Sequence, residues 1–597
     1  MSKSNFIVSY TKELWINECR NIFIAEPHVF YKLDKNNELS GYSSVKVAPY
    51  LRRSRENLIN DSRFVDDKYE LYLNILSVRL NSIHCANHSK MFWKKALGTS
   101  FIRYITTVYG IYKICESYFN QAQHDCNILS EGSYFTPLDF EDQRICLSGS
   151  EFGQEQIFSI YMNLFYPNQF KSKIEHFVLN HKNEGLIGEN GHNLRQKIKH
   201  LQFYKWLFNK LNSRNNIEVG ILGCFFSAEN KSILISKSNK KIFTLDWWIL
   251  LRHQQSKLDN TKRNYLSHSE DVFDKFDKFF FASIKFCMPR VFIEYYNEIE
   301  TTYKKRTENY PNLKYVISET WLSNTYASLM LAFLHESKVK HIYNEHNCLW
   351  HPIAGDFFKQ VLSIVDIYAT IGWDNPLIPK LVKASSLFPF VIKPSQDKKY
   401  KMLFIGCPAL VKTAYLFSIG GVYEENIPKL IGFISRFFEN LSLSTLKEIT
   451  YRRYPENVVS HCLSIDKEYL LKEYLRHVRL APLTDAKTQM SESRLVIVDY
   501  ISTSYIESMC SNIPTIFFWD REENYLNDEY VDFYNLLVEV GICQTDPVHA
   551  AVFIEQIKDN PEEWWFSESV QAAKNAFIDK NIGKPETFID YLVSLVN

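Results

Sequence analysis

Three consecutive hydroxyl residues, Ser502, Thr503 and Ser504, follow an apolar run at 495–498, and a second apolar run occupies 515–519. Each run is short enough to form a buried strand, and the residues between them suffice for one short helix. Strand, helix and strand in this order predict a βαβ unit in a parallel sheet. The hydroxyls then stand where the helix begins, and there free amide hydrogens and the helix dipole favour an anion such as phosphate. The alternative is that one hydroxyl only caps the helix.

Other residues of the same half could act together with this hydroxyl turn. Arg453 lies near the end of a predicted strand at 448–455 and could pair with the phosphate, or it could be a surface arginine. Glu507 is one helical turn after Thr503 and could accept hydrogen bonds from a ribose, or it could be a solvated carboxylate. Gly406, which ends another predicted strand, completes the candidate donor-binding set.

A second group of polar residues ends two predicted strands, 310–320 and 339–347, which are separated by a predicted helix. Ligands of open α/β sheets bind beyond the carboxyl ends of the strands, so these ends are candidates for a site. His346 is the first candidate for a general base, because histidine titrates nearest neutrality, and Glu345 and Glu319 are rival candidates. The alternative for His346 is a structural histidine at a strand end.

Composition restricts the function classes. The 597 residues carry a net charge of +1, which argues against a dedicated nucleic-acid binder. Twelve cysteines form no CxxC pair, and the chain has no signal-peptide pattern and no apolar run of membrane-spanning length. We therefore expect free thiols and a cytoplasmic protein, with any contact to the inner membrane peripheral and made through a surface patch.

The pattern of helical and strand periodicity predicts two α/β domains. The expected N-terminal domain spans 1–390 and contains a helical insert at about 66–123. A charged segment with two prolines supports a linker at 391–400, followed by a C-terminal domain at 401–597 that ends in helices. Further predictions are helices at 153–164 and 193–211 and strands at 219–226 and 232–236. His84 and His88 have a spacing that a metal could use on a continuous helix, but the sequence between them reads as a helix junction.

Four stretches, which together cover most of residues 60–580, carry a resemblance to a known family. They are Asn81-x-x-His84 with Phe92-Trp93-x-x-x-Leu97-Gly98, Asp366-Ile-Tyr368-Ala-Thr370-Ile-Gly372-Trp373, Arg494-Leu-Val through Trp519, and Gly541-Ile-Cys-Gln-Thr-Asp-Pro547 with Trp564-Trp565 beyond it. With these motifs the chain resembles the transferases encoded in bacterial surface-polysaccharide (O-antigen-type) loci. The resemblance implies the GT-B arrangement, in which two Rossmann-like domains face a cleft. It also implies a C-terminal unit similar to that of glycerophosphate polymerases and of sialic-acid or Kdo transferases, where serines at the same turn hold the donor phosphate.

One motif departs from the family pattern. The family tends to carry Gln-His-Gly-Gly after the second strand, where this chain has Glu345-His346-Asn347-Cys348. The histidine is kept and the glycines are not, which puts the pocket and the activity in question. His351-Pro352 resembles the His-Pro pair of bacterial sialyltransferases but stands in the other half of the chain.

The resemblance implies an inverting glycosyltransferase that moves a sugar from a nucleotide-sugar co-substrate to a surface glycan or lipid-linked glycan. A CMP-linked nonulosonate is the favoured donor class, and UDP and GDP sugars stay open. We expect no other cofactor and no metal, because no DxD motif stands in a suitable loop. Two alternatives stay open, a phosphotransferase with a CDP-polyol donor and a catalytically degenerate scaffold of polysaccharide assembly. The sequence leaves the acceptor, the donor sugar, the linkage stereochemistry and the oligomeric state undetermined.

Overall fold

The computed structural model describes residues 4–48, 55–119, 124–175, 214–224, 226–245, 257–268, 274–319, 324–345, 358–385, 390–406, 427–454, 466–482, 484–522 and 525–597. Within these residues the strands form three parallel sheets and one small two-stranded sheet.

The N-terminal sheet contains four parallel strands in the order β3-β2-β1-β4. They are β1 (Ser4–Ile7), β2 (Asn21–Ile24), β3 (Ser44–Val47) and β4 (His124–Asp125). The two-stranded sheet pairs β5 (Ile128–Leu129) with β6 (Lys173–Ile174). The sequence did not predict this additional parallel sheet.

The central sheet contains six parallel strands in the order β12-β11-β10-β9-β7-β8. They are β7 (Val219–Leu222), β8 (Ile242–Thr244), β9 (Tyr315–Ser318), β10 (Lys340–Asn344), β11 (Ile367–Ala369) and β12 (Leu381–Val382). The chain starts at β7, moves outward to β8, and returns to the other side of β7 with β9. The strand order therefore reverses between β7 and β9.

The C-terminal sheet contains six parallel strands in the order β15-β14-β13-β16-β17-β18. They are β13 (Tyr400–Ile405), β14 (Ile449–Arg452), β15 (Arg479–Leu480), β16 (Ser493–Val498), β17 (Thr515–Phe518) and β18 (Cys543–Gln544). This is the Rossmann strand order, and its direction reverses between β13 and β16. The predicted α/β class, with Rossmann-like parallel sheets, is confirmed.

Helices connect the strands and cover the sheets. In the N-terminal half they are Pro27–Lys35, Arg55–His84, Lys90–Ile114, Phe140–Gln143, Glu151–Phe165, Ala228–Lys237, Asn260–Leu266, Lys275–Cys287, Tyr296–Thr307, Thr325–Glu336 and Phe358–Ile364. In the C-terminal half they are Ile427–Glu439, Leu443–Glu448, Lys467–Leu470, Lys472–Leu475, Ala486–Ser491, Thr503–Cys510, Asp528–Glu539, Pro547–Ile557, Pro561–Trp565, Glu568–Asn581 and Pro585–Ser594. Short 3-10 or π turns lie at 12–14, 39–41, 115–119, 131–133, 144–148, 214–216 and 290–292.

The predicted helical insertion is confirmed as a pair of long helices, Arg55–His84 and Lys90–Ile114. They meet where the sequence placed the junction, because Cys85 adopts a positive φ that ends the first helix and the Ser89 hydroxyl caps the second. Gly98 has φ 55° and kinks the second helix. Trp93 is fully buried, so this pair belongs to the main core rather than to a separate lobe.

One predicted strand is wrong, because residues 232–236 lie in the helix Ala228–Lys237. The Ser227 hydroxyl accepts a hydrogen bond from the Asn230 amide at 3.0 Å and caps this helix. A short apolar run does not by itself distinguish a helix from a strand. The helix predicted at 153–164 is confirmed as Glu151–Phe165, whereas the one predicted at 193–211 lies outside the described residues.

The last helix, Pro585–Ser594, returns to the N-terminal half. Phe588, Ile589 and Leu592 pack in one cluster with Val219 and Ile221 of the central sheet. Residues 390–399, which cover the predicted linker except its last residue, contain no helix or strand, and Tyr400 begins β13. The domain limits at 390 and 401 stay a prediction.

Candidate functional site

In open α/β sheets ligands bind in the crevice where the strand order reverses, which in the C-terminal sheet is at the carboxyl ends of β13 and β16. Gly406 follows β13 and Asp499 follows β16, and the Asp499 amide donates to the Ile405 carbonyl at 3.4 Å. Ser502 stands three residues further along the chain, at the start of the helix Thr503–Cys510. The fold therefore brings the predicted hydroxyl turn to the position where ligands of doubly wound sheets bind.

Ser502 occupies the N-cap position, but its hydroxyl does not cap the helix. The residue is 2% exposed, and its Oγ is without a hydrogen-bond partner within the described part of the chain. The alternative that one of the three hydroxyls caps the helix therefore does not hold for Ser502. The first amide hydrogens of any helix lack intrahelical acceptors. At this helix start they stand next to a buried hydroxyl that has no partner in the described residues.

The other two hydroxyl residues and Glu507 are less accessible than the sequence suggested. Thr503 and Ser504 are half-buried, and the Ser504 carbonyl accepts a hydrogen bond from the Ser508 hydroxyl at 2.8 Å. Glu507 is buried, and its Oε1 lies 3.2 Å from Lys487 Nζ. The alternative of a solvated carboxylate is wrong for Glu507, whereas its predicted contact with a ribose stays a prediction.

Arg453 is exposed just beyond β14, at the same edge of the sheet. The preceding Arg452 is buried and donates hydrogen bonds to Thr484 O and Gln489 Oε1, so its guanidinium is used in contacts within the protein. Burial raises the pKa of Asp466, but the hydrogen bond from Lys35 and the charges of Lys35 and Arg453 outweigh it and lower that pKa. The guanidinium of Arg453 thus lies close enough to Asp466 to act on its charge.

Gly406 has a packing role that the sequence did not reveal. A Cβ at this position would overlap the Tyr451 hydroxyl and would lie 2.8 Å from Tyr451 Cζ. Tyr451 is fully buried. The glycine therefore makes room for the tyrosine ring, and its contact with a phosphate stays a prediction.

Sequence reasoning missed a buried ion pair at this crevice. Lys467 begins the helix Lys467–Leu470, and its Nζ contacts Asp499 Oδ2. The two side chains are 2% and 0% exposed. A carboxylate directly after an apolar strand was a signal for Asp499, whereas no local pattern distinguishes Lys467 from a surface lysine.

A second polar group lies at the carboxyl edge of the central sheet, where Glu319 follows β9 and Glu345 follows β10. Glu345 is 1% exposed, and its Oε2 accepts hydrogen bonds from Trp373 Nε1 at 2.7 Å and from the Ile371 amide at 3.1 Å. Burial raises the pKa of Glu345 to about 8, although these hydrogen bonds act in the opposite direction. Its other oxygen, Oε1, accepts no hydrogen bond of good geometry within the described residues, but the Tyr368 hydroxyl lies close enough to lower the pKa of the carboxyl.

Two further residues lie beside these carboxylates, and the sequence pointed to Asn344 but not to Cys224. Asn344 is fully buried, and within the described residues neither its Oδ1 nor its Nδ2 has a partner. Burial, and next the charge of Glu319, hold the pKa of the Cys224 thiol well above its usual range. Cys224 follows β7, so Glu319 and Cys224 lie where the strand order of the central sheet reverses.

His346 and His351 lie outside the described residues, so the structure does not place the first candidate base or the His-Pro pair. Glu345 and Glu319 stand on neighbouring strands at the central sheet, and the donor candidates stand at the C-terminal sheet.

The two histidines with metal-like spacing have separate partners. His84 Nε2 hydrogen-bonds the Phe292 carbonyl at 2.9 Å, and His88 lies 2.8 Å from Glu336 and 2.7 Å from the Tyr296 hydroxyl. Across the described ranges, no cluster of three or more His, Cys, Asp or Glu side chains could hold a metal ion. No helix within those ranges combines the length and apolar character needed to cross a bilayer.

A search of solved structures returns several matches. The E. coli trehalose-6-phosphate structure bound with UDP-2-fluoro glucose is 10% identical and matches 64% of this chain and 98% of that one, with a TM-score of 0.35. The wall teichoic acid polymerase TagF is 12% identical over 68% of this chain and 98% of its own, with a TM-score of 0.30. The S. aureus MnaA structure with UDP is 11% identical and matches 61% of this chain and 95% of that one, with a TM-score of 0.33. Similarity at this level transfers no substrate or mechanism.

A search among curated proteins finds no match to this sequence. A family model, in contrast, matches residues 4–593, which is nearly the whole chain. That model describes transferases, so the resemblance inferred from the motifs is confirmed at the level of a transferase family. The chain belongs to the LIC12162 family of transferases.

Proposed function

We propose that this transferase is a glycosyltransferase that moves a sugar from a nucleotide donor to a bacterial surface glycan. The observation that carries the proposal is the position of Ser502, a buried hydroxyl without a partner in the described residues, at a helix start in the crevice of a Rossmann-ordered sheet. A donor phosphate there would accept hydrogen bonds from the hydroxyl and from the first helix amides. Leaving such buried donors unsatisfied is costly, so a site of this kind favours an occupant.

In this proposal Ser502, Thr503 and Ser504 bind the donor phosphates. Arg453 supplies an exposed cation at the same edge, and Glu507 is assigned to the ribose. Holding the charge that develops on the leaving phosphate is the main electrostatic requirement of the reaction. Because Gly406 has no Cβ, the Tyr451 ring can pack against the end of β13.

The acceptor is proposed to bind at the carboxyl edge of the central sheet, where a base must take the proton of its hydroxyl. His346 is the first candidate, and Glu345 and Glu319 are the rivals. Glu345 fits a base that titrates near neutral pH, because burial raises its pKa to about 8. The inverting course and the absence of a metal requirement are part of the proposal.

The favoured donor class is a CMP-linked nonulosonate, with UDP and GDP sugars as the other donors to test. This preference rests on the resemblance of the C-terminal unit. A protein at the cytoplasmic side with peripheral contact to the inner membrane would meet a lipid-linked glycan acceptor there.

A phosphotransferase with a CDP-polyol donor is the second candidate, since the same hydroxyl turn would hold a CDP phosphate. Mass analysis of the product separates the two activities, because only the phosphotransferase leaves phosphate in the new linkage.

A thermal-shift screen with CMP, CDP, UDP and GDP tests the proposal directly. A ligand at 100 times its Kd stabilises the folded protein by about 2.7 kcal/mol, which raises the melting temperature measurably. We expect at least one of the four nucleotides to do so. If none does, the scaffold alternative replaces the enzyme.

A further inference from the structure

The buried pair Lys467–Asp499 lies inside the candidate donor crevice. Asp499 directly follows β16, beside Ile405 at the end of β13, and stands three residues before Ser502. Its side chain is fully buried, and Lys467 Nζ contacts its Oδ2. A carboxylate therefore occupies the place where the strand order reverses, and it is neutralised by a lysine from another helix.

A bare carboxylate at this position would oppose the binding of a phosphate. Like charges repel, and the repulsion is stronger where protein rather than water surrounds them. A buried cation bonded to the carboxylate removes the net negative charge of the pair, so the positive field of the helix start and of Arg453 remains available to an anion.

The helix that carries Lys467 is held from two sides. Its N-cap residue Asp466 accepts a hydrogen bond from the Tyr469 amide at 2.8 Å and pairs with Lys35 at 2.5 Å. Lys35 ends the helix Pro27–Lys35, which connects β2 and β3 of the N-terminal sheet. Tyr31 of that same helix packs against the core of the C-terminal sheet. The N-terminal sheet thus contributes to the position of Lys467.

We propose that Lys467 is a positioning residue of the donor site, which neutralises Asp499 so that the crevice accepts the phosphates of a nucleoside mono- or diphosphate. This inference rests on the proposed function, since it concerns the same crevice. Lys467 need not touch the nucleotide; it acts through the charge of Asp499.

The test measures the affinity of CMP, CDP, UDP and GDP, and of cytidine, uridine and guanosine, by calorimetry at constant ionic strength. Lys467→Met should lower the affinity for the nucleotide that the wild type binds by about tenfold or more. Its affinity for the matching nucleoside should stay within about twofold of the wild type. Asp499→Asn should bind the nucleotide at least as tightly as the wild type, because it leaves the cation in place. The double variant should return to within about threefold of the wild type.

Lys467→Arg keeps the cation and serves as the matched control, with expected affinity within about threefold of the wild type. If Lys467→Met does not fold, Asp499→Asn and Lys467→Arg still decide the matter. A purely structural pair predicts that Asp499→Asn weakens nucleotide and nucleoside alike, and that result overturns the inference. Unchanged nucleotide binding in folded Lys467→Met overturns it too, while the proposed function stands. A wild type that binds none of the four nucleotides overturns both.

Discussion

The carboxyl edges of the central and C-terminal sheets differ in the charge of their polar side chains, although both sheets are parallel and six-stranded. At the central sheet, the Asn344 amide has no partner in the described residues, and burial raises the pKa of Glu345 to about 8. At the C-terminal sheet lie the neutralised pair Lys467–Asp499 and the exposed Arg453. The first set suits hydroxyl groups and proton transfer, and the second suits an anion. Two six-stranded parallel sheets of different strand order thus carry different side-chain chemistry at their carboxyl edges.

The largest effect should come from the proposed base at the central edge. We expect His346→Gln to lower kcat by about 100-fold or more, because general-base catalysis contributes about 100- to 10,000-fold. Glu345→Gln should have the smaller effect. The pH profile of kcat distinguishes the two, since a histidine base gives an acid limb near pH 6.5 and Glu345 gives one near pH 8. A limb near pH 8 that disappears in Glu345→Gln would assign the base to Glu345 and contradict the first choice.

The raised pKa of Glu345 also predicts how stability changes with pH. The folded protein holds this proton up to about pH 8, whereas the unfolded chain releases it near the ordinary value of 4.5. Stability therefore falls as pH rises between these values, by roughly 2 kcal/mol from pH 5 to pH 7. In Glu345→Gln the free energy of unfolding, measured with urea, should lose that amount of its change between pH 5 and pH 7. Glu155→Gln is the matched control, because burial also raises the pKa of the Glu155 carboxyl to about 8. This variant should reduce the pH dependence of stability by the same amount and leave activity unchanged. Equal slopes in wild type and Glu345→Gln would contradict the raised pKa.

Ser502 tests the anion-binding character of the C-terminal edge. Ser502→Ala should weaken nucleotide affinity by about tenfold, because a hydrogen bond to a charged group contributes about 1.5–3 kcal/mol. It should cost little stability, since the hydroxyl caps nothing. Ser150→Ala is the control, because the Ser150 hydroxyl does cap its helix by accepting from the Gly153 amide at 3.0 Å. That variant should lose about 1 kcal/mol of stability and keep its nucleotide affinity. If Ser502→Ala lowers stability in thermal unfolding but keeps its nucleotide affinity in calorimetry, Ser502 does not bind the nucleotide.

Gly406 tests whether packing or ligand contact requires the glycine. Gly406→Ala should cost about 1 kcal/mol of stability, because the new methyl group overlaps the Tyr451 hydroxyl. The double variant Gly406→Ala with Tyr451→Phe should recover part of that stability in urea unfolding. No recovery would indicate that the glycine is needed for another reason.

The smallest expected effect is that of a chelator. Because the proposed site uses amides, hydroxyls and basic side chains for the leaving phosphate, excess EDTA should leave turnover within about twofold. Loss of turnover with EDTA, restored by Mg²⁺ or Mn²⁺, would contradict the metal-independent proposal.

Much of the architecture was predictable because it depends on local patterns. The βαβ unit around Ser502, the strand that ends before Glu319 and the helix Thr325–Glu336 follow from apolar runs and their lengths. The stretch 232–236 was mistaken for a strand, since a short apolar run fits either structure and a cap at Ser227 decided for a helix. The N-terminal sheet was missed because its strands are only two to four residues long.

The sequence alone determined that the chain is an α/β protein of a transferase family and that a hydroxyl cluster begins a helix after a buried strand, because these features depend on neighbours along the chain. Only the tertiary structure decided which strands meet at each reversal of strand order, that the Ser502 hydroxyl caps nothing, and that Lys467 reaches Asp499 from a helix 32 residues earlier. Such contacts join residues distant in sequence, and burial then changes their pKa values and hydrogen bonding in ways that no local pattern encodes.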